Sequence, residues 1–193
     1  VVWFRGLGRG VGTSAEALAV VSAAFLGGLG IGAAIASRRA PNAPFPLRSA
    51  AKCELVAGLF VFLSPFGIAL VPGAHIALLG ALDLEPGRSS WPAALVALPI
   101  LVLPTAFLGA TLPFLVRSLV TTGVARAGRW TGLLYGVNTF GAMAGTGLAV
   151  AYLLPGYGEI ASLRIAGGLN VVAAALILLA ERPSPHAVAP PPP

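Results

Sequence analysis

Long runs of glycine, alanine, leucine and valine, almost free of charge and separated by short basic links, constrain this chain more than any single motif. The run at 132–158, GLLYGVNTFGAMAGTGLAVAYLLPGYG, shows the pattern best. A helix rises about 1.5 Å per residue, so a run of this length exceeds the roughly 30 Å hydrocarbon layer of a bilayer. One strongly polar residue, Asn138, stands near its middle, and Gly141 and Gly145 recur at four-residue spacing. Such a helix needs a neighbour. An amide in lipid requires a hydrogen-bond partner, and small residues one turn apart let two backbones approach.

Composition points the same way. Hydrophobic residues make up 57% of the chain and charged residues 9%, against roughly 25% charged in a soluble domain. That leaves too little polar surface to cover a water-soluble globule, and 193 residues leave room for one membrane bundle without a second large domain. The net charge of +6 raises the question of nucleic acid, but no basic stripe interleaved with aromatics is present, so no nucleic-acid partner is expected. Cys53 is the single cysteine, which excludes a disulfide framework or cysteine metal site within one chain. His75 and His186 stand without partners at metal-ligand spacing and read as solvated, in a loop and in the tail. No cofactor and no metal are expected.

The runs predict an all-α, polytopic transmembrane bundle over 1–182, with spans at about 13–36, 53–72, 92–116, 131–154 and 160–180. IALLGALDL at 76–84 is too short to span; it reads either as a short interfacial helix or as the end of a longer second helix. The tail at 183–193 is rich in proline and reads as a disordered or polyproline-like linker, to which a further domain is expected to attach.

Basic residues set the expected orientation. Arg38, Arg39, Arg48, Lys52, Arg117, Arg126, Arg129 and Arg182 fall on one side of this topology, and Arg5, Arg9, Arg88 and Arg164 on the other. Eight against four places the first group in the cytoplasm, with the N-terminus outside and the C-terminus inside a bacterial inner membrane. The start, VVWFRGLGRG, has no initiator Met and lacks the pattern of a signal peptide. It reads as truncated or processed, and a preceding helix is expected.

The polar and small residues within the spans are the candidates for binding or packing. Asn138, with Thr139 beside it and Tyr135 one turn earlier, reads as interhelical glue or as a ligand contact. Gly28 and Gly32 form a second GxxxG pair beside that of Gly141 and Gly145. Thr13 and Glu16 have the spacing of a capping box. Glu54 reads as opening the second helix, within reach of a loop arginine. The third span carries Pro99, Pro104 and Pro113 and reads either as a cavity-lining broken helix or as simply kinked; Arg117 ends it and is expected to snorkel to the surface.

Five segments in order resemble one family. VVWFRGLGRGVGTS carries a Trp-x-Arg followed by Gly-x-Ser/Thr, and AAFLGGLGIGAAIASRR a Gly-Leu-x-x-Gly core with a basic end. PLRSAAKCELVAGL forms a link and a Glu-led helix, and LPTAFLGATLPFLVR a Pro-x(4)-Gly-Ala-Thr-x-Pro helix. The run at 132–158 carries Tyr-x-x-Asn-Thr-x-Gly-Ala and a Leu-Pro-x-x-Gly exit. Together they resemble the membrane domain of the spermidine synthase-like membrane proteins, also called fused major-facilitator/spermidine synthases. The resemblance implies a transmembrane portion, and a soluble aminopropyltransferase domain elsewhere. That domain needs a strand, a Gly-rich loop and an acid for the ribose; GLGRGVG at 6–12 precedes a membrane run and follows no strand. No catalytic residue carries over, and no catalysis is expected within these residues.

Three functions remain open on this reading. The first is a noncatalytic membrane anchor or scaffold, partnered by the bilayer and by a missing soluble domain. The second is an accessory packing subunit of a larger respiratory or photosynthetic complex, partnered by other membrane subunits. The third is a transporter of polyamines or other small cations, against which stands the scarcity of acids at mid-membrane.

Overall fold

The computed structural model describes residues 2–11, 15–84, 91–119 and 124–181. Its elements are α1 (Val2–Val11), α2 (Ala15–Arg39), α3 (Pro46–Ala81), α4 (Trp91–Leu119), α5 (Val124–Leu148) and α6 (Leu154–Leu179). A 3-10 turn at Ala40–Asn42 and a π-helical segment at Ala149–Leu153 complete them. No strand occurs among the described residues. Thr13, for which a cap is expected, Arg88 and the tail at 183–193 lie outside them.

Four helical stretches are long and apolar enough to cross a membrane: Leu18–Asn42, Pro46–Ala81, Ala94–Leu119 and Gly128–Leu179. The last is two arms. Gly158 sits at φ 75° and ψ −178°, a left-handed conformation open chiefly to glycine, and there the chain turns. The Ser162 hydroxyl donates to the Gly158 carbonyl at 2.6 Å and holds the new arm's first turn. Just before the break, the wide π turn at Ala149–Leu153 prepares the backbone for Pro155, which has no N–H to give the preceding turn.

α2 packs on α4, α4 on α3, and α3 on α6, while the short α1 lies across α3, α4, α6 and α2. The interior mixes small side chains with a few large ones: Ala36, Ala50, Ala57 and Ala174 are fully or almost fully buried, and so are Leu7, Val71 and Leu101. Many other large ones face outward, with Phe66 61%, Leu70 70% and Leu176 62% exposed. A soluble fold takes a different arrangement, with few large apolar side chains exposed together. Lipid favours this one, because tails solvate leucine as well as a core does and close backbone approach supplies the dispersion contacts.

α3 differs from the sequence expectation. It runs unbroken from Pro46 to Ala81, further at both ends than 53–72. At 1.5 Å per residue it is about 54 Å long, so it projects beyond a bilayer core. The run at 76–84 is therefore mostly the end of α3, not a separate interfacial helix; α1 is the short helix of the fold. His75 is likewise a half-buried residue of α3 and not a loop residue, with Nδ1 buried and unpartnered. Pro65 and Pro72 lie inside α3 without ending it, since each proline removes one helical hydrogen bond while the apolar run continues across it. At Pro65 the loss is repaired locally. The carbonyl it orphans is that of Val61, four residues back, and the Ser64 hydroxyl donates to it at 2.7 Å. Trp3 Nε1 donates in turn to Ser64 Oγ at 3.0 Å, which pins α1 to α3 at this point.

Two clusters mark the ends of the bundle. Leu7, Val71, Ala97 and Leu163 belong to one. Ala36, Ala40, Ala50 and Phe114, with Ile177 packed against them, form the other. The second end therefore gathers the end of α2, the start of α3 and the ends of α4 and α6, and with them Arg38, Arg39, Arg48 and Arg117.

Candidate functional site

The candidate residues divide into three places. The first is the crossing of α2 and α4. Gly28 lies against Thr105, Gly32 against the backbone of Ala106, and Gly109 of α4 against the backbone of Leu29. A methyl group added at Gly32 or Gly109 would collide with main chain, which has no alternative rotamer to take. Thr105 is fully buried here, and its hydroxyl donates to the Leu101 carbonyl at 2.7 Å. A comparable junction joins α3 to α6, where a methyl on Gly58 would stand 2.8 Å from the Gly167 carbonyl oxygen and one on Gly167 2.7 Å from that of Gly58. Sequence reasoning missed this pair. Neither glycine has a small neighbour at four-residue spacing that would have marked it, and the partners are far apart in the chain.

The second place is α5. From 128 to 148 every residue except Thr131 and Leu134 is exposed. The helix touches α4 and its own continuation and is absent from the other packing faces of the bundle. Tyr135 is 63% exposed, and the Thr139 hydroxyl turns back to the Tyr135 carbonyl at 2.9 Å. Gly141 and Gly145 meet no atom within 4 Å. Asn138 is exposed, and its side chain makes no hydrogen bond among the described residues. The contacts expected for this GxxxG face and this amide are not made within the described chain, because the turn at Gly158 carries α6 back onto α3 and leaves α5 outside.

The third place is the basic end. Glu54 does not open its helix: Pro46 takes the first turn, where its missing N–H costs nothing, and Glu54 lies two turns further in. Its carboxyl group lies beside Thr111 of α4, whose hydroxyl donates to the Phe107 carbonyl at 3.3 Å, and has no arginine partner among the described residues. The loop arginine Arg48 instead pairs with Glu181 beyond α6, Nε to Oε2 at 2.9 Å, and its guanidinium lies 4.6 Å from the Phe45 ring centroid. Arg117 is half-buried, with Nε buried and unpartnered, so it does not simply reach out to water. At the opposite end Arg5 approaches Glu159 at 3.8 Å, and Arg164 lies over the Phe62 ring at 5.7 Å. Among the described residues no three histidine, cysteine or acidic side chains come together as a metal site.

A bundle of helices long and apolar enough to span a bilayer, with many large apolar side chains exposed along them and charge gathered at its ends, is an integral membrane protein. No family model, no curated protein and no solved structure matches the chain.

Proposed function

We propose that the chain is a noncatalytic integral membrane unit that anchors or scaffolds a larger assembly, with α5 as the helix offered to that assembly. One observation carries this reading. The other spanning segments pack against one another through buried small residues, whereas α5 leaves its glycine face and Asn138 open. An unpaired amide at the centre of a spanning helix is disfavoured in lipid, so a partner helix resolves what the chain leaves unresolved. The five segments resembling the spermidine synthase-like membrane proteins support a soluble synthase domain as part of the assembly. Sequencing the reading frames on both sides of the gene tests that version; frames that encode no such domain remove it.

The same face supports an accessory subunit of a respiratory or photosynthetic complex. Purification from native membranes in mild detergent separates the readings, since stoichiometric membrane subunits favour the second and a lone monomer counts against both. Transport of polyamines draws less support. Glu54 lies about 12 Å along α3 from Pro46, toward the basic end and away from the helix centre. Uptake of labelled spermidine into vesicles, abolished by Asn138→Leu, would reinstate it.

The orientation follows from the charges. The end that gathers Arg38, Arg39, Arg48 and Arg117 is proposed to face the cytoplasm of a bacterial cell. A reporter fused after Pro193 should be active only as a cytoplasmic protein; periplasmic activity would invert the topology.

A further inference from the structure

At the basic end a cleft of about 230 Å³ opens between α2 and α4, with Cys53 of α3 among its lining residues. Gly32, Ala36 and Arg39 line one wall. Their spacing of four and then three residues puts them on one face of α2. Ala110 and Phe114 line the other wall, and Arg117, three residues on, continues that same face of α4. Both walls are apolar along their length; the α2 wall ends in Arg39, and Arg117 stands one turn beyond the α4 lining.

Neither arginine is neutralised among the described residues. Arg48 takes Glu181, and Glu54 faces Thr111. Arg117 keeps a buried Nε donor with no acceptor, a state that costs the desolvation of that group. This arrangement matches an anion at the mouth with an apolar chain below it.

We propose that the cleft holds an anionic phospholipid, its acyl chain between α2 and α4 and its phosphate between Arg39 and Arg117. Basic pockets between spanning helices are suited to such headgroups by charge, and guanidinium to phosphate by its paired donors. The lipid would fill the α2–α4 cleft from the bilayer side, with its phosphate against the two guanidinium groups at the basic end. The open face of α5 plays no part.

Native mass spectrometry of the detergent-purified full chain tests this with phosphatidylglycerol and phosphatidylcholine of identical acyl chains and, separately, inorganic phosphate. Phosphatidylglycerol should be retained over phosphatidylcholine, and R39Q and R117Q should each weaken that retention about fivefold. R129Q on α5 removes the same charge from an exposed position outside the cleft and should leave retention unchanged. Arg39 is exposed, so R39Q preserves packing and decides the matter alone if R117Q does not fold. Equal retention of the two lipids, an equal loss in R129Q, or displacement of the lipid by millimolar phosphate would each overturn the proposal.

Discussion

The two GxxxG segments of this protein are near equivalents in sequence and opposites in space. Gly28 and Gly32 in α2 sit against Thr105 and Ala106 with no room for a methyl group, whereas Gly141 and Gly145 in α5 meet nothing within 4 Å. A small-residue pair thus records that a helix can be approached closely, and the tertiary arrangement decides whether anything approaches. In α2 the approaching helix is supplied by the chain itself. In α5 it is left to a partner.

The comparison breaks most sharply under large substitutions. Gly32→Val places side-chain atoms on the Ala106 carbonyl and should destabilise the bundle by about 3 kcal/mol or more, read as a lowered unfolding midpoint in detergent. Gly141→Val should leave that midpoint unchanged, and a matching loss would show that α5 packs on its own chain after all. Gly58→Ala should follow with a loss of about 1–3 kcal/mol, because the contact at the α3–α6 crossing is tight on both sides. Asn138→Leu sharpens the contrast differently. It should shift the purified chain's stability by less than about 0.5 kcal/mol while reducing recovery of partners from native membranes; unchanged recovery would remove the role given to the amide. The smallest effect belongs to Arg48→Ala. Its ion pair with Glu181 is half exposed, so the loss should stay within about 1 kcal/mol and shrink as salt is added.

Several features were legible before any coordinates. Charge depletion and run length pointed to spanning helices, and Leu-Pro-x-x-Gly at 154–158 marked an exit that the backbone makes at Gly158. The extent of α3 was not legible, because Pro72 looks like a terminator when only local rules apply and the run after it looks too short to matter. His75 was placed in a loop for the same reason, and Glu54 was placed at a helix start because the basic link before it, with Arg48 and Lys52, reads as loop although α3 begins at Pro46. The Trp3–Ser64–Val61 chain was invisible because it joins residues 61 positions apart.

Hydropathy and helix length are properties of each segment, and a bilayer reads them segment by segment. The all-helical class, the membrane location and the approximate spans therefore followed from the order of residues alone. Which glycine faces a backbone, which arginine finds a carboxylate and which helix stands apart depend on how pairs of segments meet. Those pairings are set by the turn at Gly158 and by the close crossings of α2 with α4 and α3 with α6. Only the folded arrangement could show that the run with the most conspicuous packing motif is the one the chain leaves unpacked.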